Sequence, residues 1–235
     1  MPAIKVVVLA GGKGTRFRPF SFVIPKPLMP IGEDPILLHL MNRFKKSNIQ
    51  QFLISTGYQA ELVQAYFGNG SRFGVDIKYF HEDKPLGTAG PLSLMRDEFK
   101  DDDYLFLING DIYTEINFED MAQFAVKSKC DVVVGYVEKT EKSNFGVLQI
   151  IDHKITGHIE KPETKRLISA GIYVLKGKAL KMIPQLEFFT MPDLIHAYLK
   201  LGEPVGAYLI DKFWIGIENA GNLDEALKQI EGNKP

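Results

Sequence analysis

LAGGKGTRFRPFSFVIPKPLMPIG, residues Leu9 to Gly32, follows directly on a short apolar run, Ile4-Lys5-Val6-Val7-Val8-Leu9, that reads as a strand. Gly11, Gly12 and Gly14 come at the end of that strand, with Arg16 and the Pro25-Lys26-Pro27 triplet behind them. Glycines after a strand let backbone N–H groups approach an anion closely, because no Cβ stands in the way. Arg16 and Lys26 add two cations within reach of the same spot. The stretch therefore predicts a strand–loop unit built for a phosphate-rich ligand.

Working outward, strand-like runs recur at Gln51–Ser55, Val75–Phe80, Tyr104–Ile108, Asp131–Val137 and Phe145–Ile150, then at Ile155–Ile159, Ile168–Leu175 and Val205–Ile210. Asp34-Pro35 ahead of Ile36–Met41 predicts an N-cap with proline at the first helical position. Further helices are expected at Gln59–Phe67, Thr88–Phe99, Asn117 to about Ser128, Gly177–Ile183, Met191–Leu201 and Asn219–Ile230. Strands alternating with helices make parallel βαβ units, so the expected fold is α/β with a mostly parallel sheet. Such sheets bind ligands beyond the carboxyl ends of their strands. Both the glycine loop and Asn109-Gly110-Asp111 fall at such ends.

The chain of 235 residues is long enough to bury a proper core, and its formal net charge of −1 lacks the basic excess of a nucleic-acid binder. The single Cys130 cannot form an internal disulfide, which points to a reducing, cytoplasmic setting. The opening apolar run is too short for a signal peptide, and no apolar stretch approaches membrane-spanning length. The five histidines (39, 81, 153, 158 and 196) form no pair at zinc-ligand spacing. No repeat or low-complexity linker interrupts the chain. The Phe188-Phe189 pair could serve an interface between copies or the core.

The glycine loop is neither of the two common phosphate loops. Gly12-x-Gly14-x-x-Phe17 has phenylalanine where the dinucleotide fingerprint needs its third glycine, and the Gly-Lys-Ser/Thr ending of a Walker A loop is absent. The pattern resembles instead the sugar-1-phosphate nucleotidylyltransferases (nucleotide-sugar pyrophosphorylases), in flavour nearest the mannose-1-phosphate guanylyltransferase-like catalytic domains. That family shows L-A-G-G-x-G-T-R followed by P-K-P-L, matched by Leu9 to Arg16 and Pro25 to Leu28. Pro85-Leu86-Gly87-Thr88-Ala89-Gly90, Asn109-Gly110-Asp111, Glu160-Lys161-Pro162 and Ala170-Gly171-Ile172-Tyr173 match in the expected order.

The resemblance implies a Rossmann-like mixed α/β nucleotidyltransferase domain without a C-terminal extension. Its nucleotide-binding half spans about 1–120 and its sugar-phosphate half about 121–235. It also implies a reaction in which a sugar-1-phosphate oxygen attacks the α-phosphorus of a nucleoside triphosphate and pyrophosphate leaves. Two polyanions must be brought together, so the site must neutralise charge and align the attack. By resemblance, Leu9, Ala10, Gly11, Gly12, Gly14 and Thr15, with Gly87, Thr88 and Gly110, line the nucleotide site. Arg16 holds the β and γ phosphates, Lys26 bridges phosphates at the reacting centre, and Asp111 is the Mg2+ ligand. Glu160 accepts from sugar hydroxyls, Lys161 contacts the sugar's phosphate, and Gly146 and Ser169 line that pocket, although many members carry Asn at the Ser169 position.

Base choice falls by the same resemblance to Glu82, on the loop before Pro85–Gly90. A carboxylate only accepts hydrogen bonds, and guanine offers two adjacent donors, so GTP is favoured over UTP or dTTP. The family's W-x-D-I-G, whose Asp is the second metal ligand, reads Trp214-Ile215-Gly216-Ile217 here, with Gly216 in place of the Asp. Glu218, two residues on, would point to the same face of a strand and could substitute; Asp211 is a weaker candidate. Two readings follow: an active Mg2+-dependent transferase, or an impaired homologue that binds nucleotide or nucleotide-sugar and regulates a partner.

Overall fold

The structure, a computed structural model, describes residues 4–232. One sheet holds seven strands: β1 (Ile4–Leu9), β2 (Gln51–Thr56), β3 (Asp76–His81), β4 (Tyr104–Asn109), β5 (Val132–Lys142), β6 (Glu163–Lys176) and β7 (Val205–Leu209). Their spatial order is β7-β5-β6-β4-β1-β2-β3. β1 is parallel to β2 and β4, β2 to β3, and β7 to β5, while β6 is antiparallel to both neighbours. The sheet is therefore mixed and mostly parallel, and both halves of the chain build it. The chain's extreme ends, residues 1–3 and 233–235, lie outside the described residues.

Side-chain alternation along β1 splits the core into two layers. Val6 and Val8 join Phe52, Ile54, Phe106 and Ile108 under α1 (Ile36–Lys46), α2 (Ala60–Phe67) and α3 (Phe118–Ser128). Phe44 of α1 stacks on Phe118 of α3 at 3.6 Å between ring centroids. Val7 points the other way, joining Leu53, Leu105 and Leu107 beneath α4 (Met191–Lys200). A third cluster packs Phe17, Met29, Ile31 and Ile36 against Ile215, Ile217 and Ala226 of α5 (Ala220–Gly232), tying the end of the chain to the segment that follows the glycine loop. Phe17, which breaks the dinucleotide fingerprint, is thus a core residue.

Several elements differ from expectation. Asp34 does not cap α1: Asp34-Pro35 pair with Pro30-Ile31 in a short ladder, Pro35 precedes the helix in an extended conformation, and the Ile36 N–H donates to the Met29 carbonyl. The expected helix at Thr88–Phe99 is a 3-10 segment, Gly90–Glu98. The N–H groups of Ala89 and Gly90, which a helix start leaves without an intrahelical partner, donate to the Phe189 carbonyl. Gly177–Met182 is likewise 3-10, with the Gly177 and Lys178 N–H groups donating to the Asp103 and Asp101 carbonyls. β5 and β6 run past their expected ends as an exposed two-stranded ribbon, 138–142 against 163–167. The ribbon carries Lys165–Glu138, Arg166–Glu141 and Lys142–Glu163 ion pairs in place of an apolar face. Val147–Ile151 and Lys154–Ile159 form a separate hairpin whose turn residues Asp152 and His153 both have positive φ, as a type I′ turn requires.

Candidate nucleotide site

The carboxyl ends of the adjacent parallel strands β4, β1, β2 and β3 converge on a cavity of about 700 Å³. It lies where β1 leads to β2 on one side and has β4 on the other, the switch point at which open α/β sheets place their ligands. β1 contributes Leu9 through Lys13, β2 leads to Gly57 and Tyr58, β3 to His81 through Lys84, and β4 to Asn109 through Asp111. Backbone bonds fix the loops to one another: the Ala10 N–H donates to the Ser55 carbonyl at 2.9 Å and the Gly110 N–H to the Leu9 carbonyl at 2.9 Å.

Two glycines in the loop have different reasons to be glycine. A Cβ on Gly11 would lie 2.7 Å from Glu82 Oε1, so this residue makes room for the carboxylate. A Cβ on Gly12 would meet no protein atom within 4 Å, so its bare backbone faces the open cavity. Glu82 itself is half-buried and firmly held. Ser55 Oγ donates to one oxygen at 2.6 Å and the Leu86 N–H to the other at 3.1 Å. Each carboxylate oxygen keeps further acceptor capacity.

Lys26 and Asp111 meet across the cavity floor, with Nζ 2.5 Å from Oδ2, and Lys26 also stands 5.8 Å from the centre of the Phe17 ring. Arg16 pairs with Glu218 at 2.7 Å, both side chains being largely exposed. The cavity thus unites Leu9, Ala10, Gly11, Gly12, Lys26, Glu82, Gly87, Thr88, Gly110 and Asp111. Gly14, Thr15, Arg16 and Glu218 lie outside its lining, as do Gly146, Glu160, Lys161 and Ser169. The last group gathers elsewhere in pairs. His158 Nε2 stands 3.5 Å from Glu160 Oε2 beside Gly146, and Ser169 Oγ shares a 3.0 Å hydrogen bond with the buried Tyr173 hydroxyl. Burial raises the Tyr173 phenol above its usual pKa, so it stays a neutral partner for Ser169.

A magnesium ion fits the donor set in one way. Among the described residues no group of three or more His, Cys, Asp and Glu side chains is arranged to hold a metal. Mg2+ is content with one or two carboxylates plus waters and substrate phosphates, and Asp111 supplies one such carboxylate in the cavity. Gly216, on the short strand Trp214–Gly216, pairs with Ile112, and the Ile217 N–H donates to the Asp111 carbonyl at 2.8 Å. The position at which the sequence resemblance leads one to expect a second carboxylate is therefore next to Asp111 in space, and here it is a glycine.

Sequence reasoning missed Ser55, Gly57, Tyr58 and Phe188. Gly57-Tyr58 directly after a strand was a readable signal of a ligand-facing end. A Cβ on Gly57 would lie 3.0 Å from the Gly11 carbonyl, a close approach only the folded loops reveal.

The fold is Rossmann-like and of the nucleotidyltransferase kind, with its crevice at the switch point. The nucleotidyl transferase family model matches residues 5–232, and the chain belongs to that family. It is 31% identical over 216 residues to a mannose-1-phosphate guanylyltransferase of Mycobacterium tuberculosis, covering 90% of this chain and 60% of that protein. It is 31% identical over 220 residues to the mannose-1-phosphate guanylyltransferase catalytic subunit beta of Danio rerio, covering 91% of this chain and 61% of that one. The chain spans about 60% of the length of the curated relatives it matches. A proposed glucose-1-phosphate thymidylyltransferase from Bacillus anthracis, solved in complex with sucrose, superimposes with a TM-score of 0.79 at 26% identity, over 99% of this chain and 97% of that one. No helix among the described residues is long and apolar enough to cross a membrane.

Proposed function

We propose that this protein transfers a nucleoside monophosphate from GTP to a sugar-1-phosphate, giving a GDP-sugar and pyrophosphate, with Mg2+ as its metal. The observation that carries this reading is the meeting of Gly11, Gly12, Lys26, Glu82 and Asp111 in one crevice at the strand ends. Family membership and the guanylyltransferase relatives support it.

In this reaction an oxygen of the sugar's phosphate forms the new bond to the α-phosphorus, and the bond from that phosphorus to the bridging oxygen of the β-phosphate breaks. No general base is needed, since a phosphate monoester is already an anion at neutral pH. The backbone at Gly11 and Gly12 receives the triphosphate, and Gly12 has the open approach this needs. Lys26 leaves Asp111 for a phosphate at the reacting centre, exchanging one charge-assisted partner for another. Arg16 turns from Glu218 to the departing pyrophosphate. Asp111 holds Mg2+, which supplies Lewis-acid neutralisation of phosphate charge. Glu82, fixed by Ser55 and Leu86, accepts from the paired donors of guanine, while Glu160 and Lys161, with Gly146 and Ser169, take the sugar and its phosphate.

UTP or dTTP is the alternative nucleotide, in line with the thymidylyltransferase neighbour. A second reading, an impaired homologue that binds nucleotide-sugar, is favoured by the bare position at Gly216. A pyrophosphate-release assay over four nucleoside triphosphates and a panel of sugar-1-phosphates separates them. Turnover fastest with GTP is expected. No turnover with any pair, together with GDP-sugar binding, would sink the first reading in favour of the second.

A further inference from the structure

Phe188 has an environment that core packing does not account for. Its neighbour Phe189 packs against the core layer beneath α4, whereas the Phe188 side chain is 66% exposed and lines the nucleotide cavity. An exposed phenylalanine forgoes the burial that normally justifies the residue.

The backbone that carries the ring is pinned to the loop at Leu86–Gly90. The Phe189 carbonyl accepts from the N–H groups of Ala89 at 2.9 Å and Gly90 at 2.8 Å, and the Phe189 N–H donates to the Leu86 carbonyl at 2.9 Å. The Met191 N–H donates to Thr88 Oγ1 at 2.8 Å, securing the segment on its far side. Gly87, at φ +83°, leaves space between the two strips of chain: a Cβ there would lie 2.6 Å from the Phe189 carbonyl oxygen and 3.4 Å from Phe188 Cε2. The ring is thus held at the cavity wall on a fixed backbone, which keeps the ordering cost of a contact low.

We propose that Phe188 is the stacking platform for the nucleobase. The cavity is lined both by Gly12, Lys26 and Asp111 and by the loop from Glu82 to Thr88, and Phe188 stands against that loop, its Cε2 3.4 Å from where a Gly87 Cβ would lie. A carboxylate there reads the edge of a base, and an aromatic ring fixed to the same loop covers its face; together they fit a planar, hydrogen-bonding heterocycle better than a pyranose. The residues assigned to the sugar lie outside this cavity. The inference deepens the proposed function and rests on it.

The test measures binding of GTP and of inorganic triphosphate, each with Mg2+, to the wild-type protein, Phe188→Ala and Phe188→Trp. Base–aromatic stacking predicts that Phe188→Ala weakens GTP by about tenfold or more and leaves inorganic triphosphate and the sugar-1-phosphate KM unchanged. Phe188→Trp should keep GTP affinity, and its added indole fluorescence should be quenched by GTP and not by inorganic triphosphate. A GTP affinity in Phe188→Ala within about twofold of wild type, equal weakening of both ligands, or a rise confined to the sugar-1-phosphate KM would each overturn the proposal. Wild-type protein that binds no nucleoside triphosphate would instead overturn the proposed function, and this inference with it.

Discussion

Glu82→Gln tests base recognition directly, and the structure dictates how the change propagates. The carboxylate accepts from Ser55 Oγ and from the Leu86 N–H, one on each oxygen. Glutamine has a single acceptor oxygen. The Leu86 N–H can only donate, so it claims that oxygen, and the new amide nitrogen falls beside Ser55, whose hydroxyl must turn to accept. Ser55 is fully buried, so its displaced proton loses its partner at a cost of about 1–3 kcal/mol. At roughly 2–4 °C per kcal/mol for a domain of this size, the melting temperature should fall by a few degrees. The base meets a larger change. In the proposed complex, guanine's two adjacent donors, matched by the two acceptors of Glu82, would face one acceptor and one donor in the variant. Losing one charge-assisted bond costs about 1.5–3 kcal/mol, or roughly 10- to 150-fold in kcat/KM for GTP. UTP, with one donor flanked by acceptors, escapes this penalty. Pyrophosphate release with each of the four triphosphates at a fixed sugar-1-phosphate gives the GTP:UTP ratio, which should drop at least about tenfold. A ratio unchanged in folded Glu82→Gln protein refutes the assignment of Glu82 to the base.

Asp111→Asn removes the proposed metal carboxylate and the partner of Lys26; turnover should fall by at least about 10²-fold with the fold intact by circular dichroism, and wild-type rates would disprove the role. Gly146→Ala places a Cβ 2.3 Å from His158 Nε2 and 2.9 Å from Glu160 Oε2; displacing Glu160 should raise the sugar-1-phosphate KM by about tenfold, the scale of one lost hydrogen bond, without changing the KM for GTP. Gly216→Asp has room, since a Cβ there comes no closer than 3.9 Å to the Trp214 ring, and it should lower the Mg2+ concentration needed for half-maximal turnover; an unchanged titration would show that this position does not reach the metal. Glu98 is held below its usual pKa by the Lys78 hydrogen bond, with Lys5 assisting and burial opposing. A depressed folded-state pKa gives stability that is present above the unfolded value of 4.5 and lost as pH falls through the folded one. The melting temperatures of wild type and Glu98→Gln should therefore differ at neutral pH and converge in acid.

Much of the fold was legible because β1, β2 and β4 are short apolar runs closed by glycine or polar punctuation, and burial on both faces leaves little freedom in such runs. What stayed hidden was set by distant partners. Nothing local in Thr88–Phe99 distinguishes an α-helix from the 3-10 segment that forms there, or announces that the Phe189 carbonyl will receive the N–H groups at its start. Asp34 looks like a cap until Pro30 and Ile31 claim its backbone for a ladder. The antiparallel β6 was similarly invisible, because strand direction is decided by where the 138–168 excursion returns and not by the composition of the strand. In the site, the glycine loop could be read from its place at a strand end and Lys26 as a cation close behind it, whereas the role of Asp111 came from the family resemblance. Ser55 could not be read either way, because its link to Glu82 joins residues from different strands.

The Lys26–Asp111 ion pair explains how the proposed site keeps its buried cation in place. A lysine ammonium only 16% exposed at the cavity floor would, alone, suffer a desolvation penalty and seek solvent. Asp111 at 2.5 Å offsets that penalty and holds the ammonium where the proposed reaction would bring a phosphate. Under the proposed roles, Asp111 would hold the metal ion and Lys26 the phosphate, each new partner satisfying a charge that loss of the Lys26–Asp111 pair would expose. Nucleotide and Mg2+ should accordingly bind with positive coupling. In Asp111→Asn that coupling should vanish, because the carboxylate that links the metal to Lys26 is gone. A titration in which Mg2+ tightens nucleotide equally in the wild type and in Asp111→Asn would show that the pair is only a structural contact.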